Sequence, residues 1–415
     1  MVESGVSADG GVVTGRVGVA ERGAVARAGE ISSFWLPVLT APVAMGSNAP
    51  GLVLKAMSGD LGVGIPEVTW VVTTFGLGMA VGTPLAGHLI RRRGTATTLV
   101  VGTVLTLLGA LIVGFGPSLP VLVAGRLVQA LGGVALMVLA INAAHTPGRA
   151  GLVSVSAGVG GAIGPVAGLL VAEATTWHLS LALSALNLVA VPALARQLPA
   201  RPDNAARGRF DYVGAVLFTV AVSALVLATH FSVALVAVVA TAVPLVFWVR
   251  RRPAGFLPLE IVRNRVYVGS SLAILVLAVA YFFLLYHVPA LLRTVAGWGD
   301  THIGLTQLVV ILTGSLSALL ITANYDRIGR ARVITGIALL AAVAQAVALL
   351  GGVSPLLPAL ALGIAVLTAV AGQATLMVTG IGAVAPEHRP VAVGLFTLCF
   401  QLGGAFGPMF AALLT

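Results

Sequence analysis

Few side chains in this 415-residue sequence could do chemistry, and they are widely spaced. Arg126 is the one charged residue well inside an apolar stretch, and Gln129, three residues on, shares its helical face. All thirteen acids fall in the polar N-terminal tail, in loops or at the ends of apolar stretches, the nearest being Asp60, Glu67, Glu173 and Asp300. No carboxylate is therefore placed to act as a buried proton carrier with a raised pKa. Glu173 and His287 remain for that work, and for each the plainer reading, a loop acid and an interfacial histidine, weighs more. Asn48, Thr73, Thr74, Asn142, Gln307, Gln373 and Gln401 could anchor a ligand, with Tyr281, Phe282, Phe283 and Tyr286 as aromatic wall. Apolar walls with a few polar anchors suit an amphipathic small molecule. Cys399 is the single cysteine, which excludes an internal disulfide, a thiolate zinc cluster and an iron–sulfur site. No HExxH, DDxxD-like or Walker-type string occurs, so neither a metal-dependent enzyme nor a nucleotide-driven pump is expected, and no cofactor.

The elements that carry these residues follow from composition. Hydrophobic residues make up 58% and charged residues 9%, against about 25% charged in an ordinary soluble domain. Mean hydropathy is +1.06 and glycine numbers 51, which fits Gly-tolerant helices packed in a lipid bilayer. A span needs about 20 mainly apolar residues. Thirteen windows qualify, roughly 32–55, 68–90, 97–116, 119–143, 151–172, 178–196, 211–230, 232–250, 266–290, 302–324, 332–352, 355–384 and 391–414. With the N-terminus inside, every basic residue except Lys55, Arg126 and Arg293 falls on the cytoplasmic side. That asymmetry is the positive-inside rule, and it turns the net charge of +10 from a possible nucleic-acid signal into a topology map. An odd thirteenth span places the C-terminus outside.

The organisation reads as all-α and polytopic. Residues 1–31 form a polar tail without the apolar core of a signal peptide, expected to be cytoplasmic and disordered. Residues 32–196 hold six spans. Residues 197–265 hold two cytoplasmic linkers and two extra spans, the second linker (Arg250–Arg265) alternating basic and apolar residues as an interfacial segment does. Residues 266–415 hold five spans, one short of a second six-span bundle. Arg126, if it lies within its span, carries an insertion cost of about 2.5–3.5 kcal/mol and is a functional residue by default. The alternative is that it snorkels to the headgroups.

The most specific signal is internal repetition. Gly151, Gly160, Gly164 and Pro165 recur at identical spacing as Gly394, Gly403, Gly407 and Pro408, with local strings GGAIGP and GGAFGP. IRRRGTA (Ile90–Ala96) pairs likewise with YDRIGRA (Tyr325–Ala331). The chain is two homologous halves.

These motifs resemble the major facilitator superfamily, and more closely its fourteen-span drug:proton antiporter branch. Gly87-x-Leu89-x-Arg91-Arg92-x-Gly94 resembles the family's loop 2–3 motif, Arg126-x-x-Gln129 its span 4 motif, and Gly151…Gly160…Gly164-Pro165-x-x-Gly168 the antiporter signature. Trp70 and Asp211 also stand where that branch tends to have them. The resemblance implies a two-bundle fold working by alternating access. It implies gating loops at Arg91, Arg92 and Gly94 and at Asp326, Arg327, Gly329 and Arg330. A hinge and close-packed seam is implied at Gly151, Gly160, Gly164, Pro165 and Gly168, repeated at Gly403, Gly407 and Pro408. Arg126 and Gln129 would face the cavity, binding an anionic group or biasing a proton-carrying neighbour. The implied activity is export of amphipathic drugs or antibiotics across the plasma membrane in exchange for protons; a solute symporter and a non-transporting relative are the alternatives. Three departures stand out: Arg91 replaces the loop motif's Asp, Gly46 stands where the branch often has a span 1 Asp, and the fourteenth span is not present. Since Asp326 keeps the usual pattern, an acid–base latch is expected to depend on that second copy.

Overall fold

The computed structural model describes residues 32–198, 211–228, 231, 233–350 and 354–412. The expected tail (1–31) and most of the first linker lie outside the described residues. What is described is helical throughout. The helices are α1 (Trp35–Asn48), α2 (Trp70–Phe115), α3 (Leu119–Asn142), α4 (Pro147–Ala174), α5 (Trp177–Gln197), α6 (Tyr212–Leu227), α7 (Ala234–Arg251), α8 (Arg265–Ala296), α9 (Asp300–Ala323), α10 (Arg330–Leu349), α11 (Leu356–Gly382) and α12 (Arg389–Ala412). Each sequence window meets one of these helices, α2 taking two windows, and the first window runs on past α1 into the 3-10 turn Ala49–Leu52 and the start of the helix Leu54–Leu61.

Among the described residues, ten helices are long and apolar enough to cross a bilayer. At 46 residues α2 exceeds one crossing, and it breaks at Gly94, whose φ of 82° and ψ of 175° suit only glycine. Its two arms fold back on either side of α3, where Gly78 and Gly82 meet Ala130 and Val134, and Gly102, Gly109 and Gly132 bring the second arm against the α3 backbone. Gly329, at φ 90°, makes the corresponding turn in the second half, between α9 and α10. α1 and α6 are shorter, with 14 and 16 residues. Pro50 diverts α1 into the 3-10 turn Ala49–Leu52, so the first window does not run through as one helix. α5 contains a 3-10 stretch at Ala182–Ala190.

The halves pack alike. α1 lies on α4, and α8 lies on α12. Two seams join the halves, α2 against α12 and α4 against α9. The α6–α7 pair packs on itself and meets the body mainly at α2, through Phe218 and Phe256 beside Ala80, Val81 and Leu398. The Gly94 and Gly329 turns, the start of α8 and the α11–α12 connection lie at one end of the molecule, tied there by Asn264 Nδ2 donating to Ala383 O (2.7 Å) and by Arg91 reaching His388. Arg91–Arg93, Arg250–Arg252, Arg263, Arg265, Arg327, Arg330 and Arg389 gather at this arginine-rich end.

Candidate functional site

Arg126 is fully enclosed, with no exposed surface, so it neither snorkels nor borders open space. Its Nη1 donates to Gln129 Oε1 (2.8 Å) and Leu181 O (3.2 Å), its Nη2 to Gly46 O (3.0 Å) and its Nε to Val71 O (3.3 Å). The guanidinium lies over the Phe75 ring at 4.0 Å, and Gln129 Nε2 donates to Leu181 O (3.0 Å). One cation thus ties α1, α2, α3 and α5 together through carbonyl oxygens, with no carboxylate in the set. The availability of Gly46 O has a covalent cause. Its ladder donor would be residue 50, and Pro50 has no N–H.

The same rule places two other polar candidates. Pro165 leaves Gly161 O without its i+4 donor, and Asn48 Nδ2 donates to that oxygen at 3.0 Å. Pro289 does the same to Leu285 O, and Gln307 Nε2 supplies the bond at 3.0 Å. In lipid a freed carbonyl must find a donor within the protein, and these side chains provide it. Asn142 donates to Val138 O in its own helix (2.9 Å).

The repeated glycines do equivalent work in the two halves. A Cβ at Gly160 or Gly168 would collide with the carbonyls of Ala41 and Ala49, and one at Gly164 would fall 2.6 Å from Met45 O, so α4 runs in backbone contact with α1. At Gly403 and Gly407 a Cβ would strike Ala278 and Phe282 on α8. The first member of each repeat faces the opposite half instead. Gly151 sits against Thr322, and Gly394 against Thr83 and Pro84. Gly87, packed on Pro390 O, and Gly158, against Ser315, complete the close contacts between halves. Pro165 lies within α4 and Pro408 within α12.

The gating-loop residues divide. Asp326, Arg327 and Arg330 are exposed, and Asp326 makes no ion pair among the described residues. The acid–base latch expected on the Asp326 copy thus has no ion pair among the described residues, and a polar contact across the halves is made by Arg91, the residue that departs from the motif. Arg91 is 9% exposed; its Nη2 donates to His88 Nε2 (3.0 Å) and its Nη1 to His388 Nδ1 (3.2 Å). His388 Nε2 lies 3.5 Å from Glu260 Oε2, and Phe256 stacks on His88 at 4.5 Å. Arg92 is half-buried beside Arg91. Asp211, capping α6, accepts from Gly214 N–H (3.0 Å), Trp248 Nε1 (2.9 Å) and Phe256 N–H (2.9 Å). Burial pushes its carboxyl up, but these donors and Arg252 outweigh that and hold it below the ordinary carboxylate value.

Tyr281 and Gln401 are half-buried on α8 and α12, where Tyr281, Phe282 and Phe400 form an aromatic run (4.7 and 5.8 Å between successive centroids). Glu173 is exposed, on the rim of a cavity of about 520 Å³ with Asp60 and Trp177. His287 stacks on Phe283, its Nδ1 buried without a hydrogen bond. No group of histidine, cysteine and carboxylate suited to a metal occurs among the described residues. Sequence reasoning missed His88, His388 and Glu260. Only His88 carried a signal, one turn before Arg91 on the same helix.

The sequence pattern of the Major Facilitator Superfamily matches residues 38–408. Multidrug resistance protein Stp of Mycobacterium tuberculosis is 28% identical over 313 residues, 70% of this chain and 58% of its own length. The lincomycin resistance protein of Streptomyces lincolnensis is 28% identical over 425 residues, 94% of this chain and 85% of its own. Several curated relatives are matched over only about half of their length, from 46% to 58%. Among solved structures, the human organic anion transporter MFSD10 superposes with a TM-score of 0.59 at 16% identity, covering 92% of each chain, which is a likeness of fold.

Proposed function

The chain belongs to the major facilitator superfamily, whose members are multi-pass membrane transporters, and on that premise we propose that it exports amphipathic drug- or antibiotic-like molecules in exchange for protons. The two halves, residues 32–196 and 266–415, rock about the seams by alternating access, with residues 197–265 as an accessory insert. The arginine-rich end faces the cytoplasm, in keeping with the positive-inside rule, and the membrane is the plasma membrane.

The observation that carries this reading is the duplicated glycine seam. Backbone contact between α4 and α1, repeated between α12 and α8, makes each pair a rigid unit, while the first glycine of each repeat rests on the other half. Rocking then requires that Gly151 part from Thr322 and Gly394 from Thr83, together with the other contacts between the halves at Gly87, Gly158 and Arg91. The names of relatives such as Stp and the lincomycin resistance protein support export as the direction. Tyr281, Phe282, Phe400 and Gln401 form the substrate wall. Arg126 acts as the brace of the first half.

The test is flux of an amphipathic fluorescent dye in proteoliposomes holding the full chain, under an imposed proton gradient. Dye should move against the proton flow and stop when an ionophore collapses the gradient. Dye moving with the protons would indicate symport, and gradient-independent leakage alone would refute transport.

A further inference from the structure

Arg91 is a nearly buried cation with no carboxylate partner. Among the described residues its Nη atoms meet two imidazole nitrogens, one on its own helix and one 297 residues away in the other half, and its Nε has no acceptor. A guanidinium can only donate, so the ring nitrogens facing it, His88 Nε2 and His388 Nδ1, must both carry lone pairs. The proton of neutral His388 is thereby placed on Nε2, the atom that faces Glu260 Oε2 at 3.5 Å. The contact across the halves therefore exists in one protonation state only.

We propose that His388 is a proton-binding group that governs closure of the arginine-rich end: with its imidazole neutral, Arg91, anchored on His88, bridges the halves, and a proton on His388 releases it. Protonation at His388 Nδ1 converts the acceptor into a donor and sets two cations face to face. The same proton strengthens the pull of Glu260, which lies in the 197–265 insert and not in the first half. His388 thus exchanges a partner in the first half for one in the insert.

The surrounding charges are few and placed on every adjoining element. From α2 come Arg92 and Arg91 itself. From the loop entering α12 come Glu387, exposed, and Arg389, whose Nε donates to Val384 O (3.2 Å). The short helix Leu259–Arg263 brings Glu260 and Arg263, which line a cavity of about 620 Å³ with His388. Asp211 is the remaining acid, its oxygens taken up by Gly214, Trp248 and Phe256. The close approach of Gly87 to Pro390 O, one turn from this cluster, makes the seam sensitive to loss of the bridge.

The site concerns conformation, so its test needs no transport and stands apart from the export reading. Spin labels at Thr97→Cys in the first half and Ala383→Cys in the second, in a Cys399→Ser background, report the separation across this end by pulsed dipolar spectroscopy. A longer-distance population should grow severalfold on going from about pH 7.5 to about pH 5.5, and the shift should reverse on return. His88→Gln/His388→Gln, which keeps an acceptor carbonyl at both positions without titrating, should stay closed throughout; Arg91→Gln should be open at both pH values. An unchanged distribution in the parent chain would overturn the proposal, as would the same pH response in the double variant. The single His388→Gln variant, altered at a partly exposed position, gives the same decision if the double variant is unstable.

Discussion

Replacing Arg126 with leucine should destabilise the chain through two particular oxygens. Leu181 O keeps Gln129 Nε2, and Val71 O stays within the α2 ladder, but Gly46 O and Gln129 Oε1 lose the donors that satisfy them. Each stranded buried acceptor costs about 1–3 kcal/mol, so the loss should be about 2–6 kcal/mol. An average of about 0.6 kcal/mol for an interhelical hydrogen bond in membranes, taken over the four bonds Arg126 donates, gives about 2.4 kcal/mol, inside that range. The decisive variant is Pro50→Ala, which restores an N–H four residues after Gly46. Alone it should be mildly destabilising, by about 0.4–1 kcal/mol, because the unfolded chain gains freedom. Combined with Arg126→Leu it should return part of the loss, giving a coupling of about 1–2 kcal/mol in a double-mutant cycle. Unfolding in detergent micelles can be followed by alkylation of Cys399, the single cysteine, which is half-buried. The reasoning fails if Arg126→Leu unfolds with the parent, or if the two substitutions act additively.

Gly160→Leu and Gly403→Leu should each push a helix off its neighbour, costing about 1–3 kcal/mol and abolishing gradient-driven dye flux, because the added Cβ meets Ala41 O or Ala278. Gly404→Ala is the control: its Cβ would rest 3.5 Å from the Phe282 ring, an ordinary contact, so flux and thermal stability should match the parent. At Asp211 the folded pKa lies below the unfolded one, so its contribution is complete above the unfolded value near about 3.9 and is lost as pH falls through the depressed value. Asp211→Asn should therefore lower the thermal midpoint at neutral pH, and the gap to the parent should close only below about pH 4; a gap independent of pH across that range would argue against the carboxylate.

Helix positions were legible because lipid admits little else: a run of about 20 apolar residues must satisfy its own backbone, so hydropathy finds it. The windows that fitted least well contain local backbone chemistry, Pro50 ending α1 and the 3-10 stretch Ala182–Ala190 interrupting α5. The glycine repeat was legible as spacing, and its meaning, backbone contact with α1 and α8, is what glycines at i and i+4 on one helical face permit, with a third at i+8 in the first half. The His88–Arg91–His388 cluster was not legible. His388 is brought to Arg91 by the packing of α12 on α2, and nothing local in the chain marks residues 297 apart as partners.

The polar side chains inside the spans carry the more general lesson. Arg126, Asn48 and Gln307 invite assignment to a ligand, since a polar group in lipid is costly without a purpose. Each is instead engaged with a carbonyl whose helical donor a proline has removed: Gly46 by Pro50, Gly161 by Pro165, Leu285 by Pro289. Both halves of that argument are in the sequence, a proline four residues after the acceptor and a donor elsewhere, although only the fold says which donor meets which oxygen. Prolines that bend the spans create the obligation and these side chains discharge it. Side chains without such duties include the aromatic run of Tyr281, Phe282 and Phe400 with Gln401 beside it, the substrate wall we propose. The same reasoning applies at Arg91. Where the family motif has an acid, this chain has a cation that would be stranded in the seam without acceptors, and of the two imidazoles that supply them His388 makes the closed end answerable to protons.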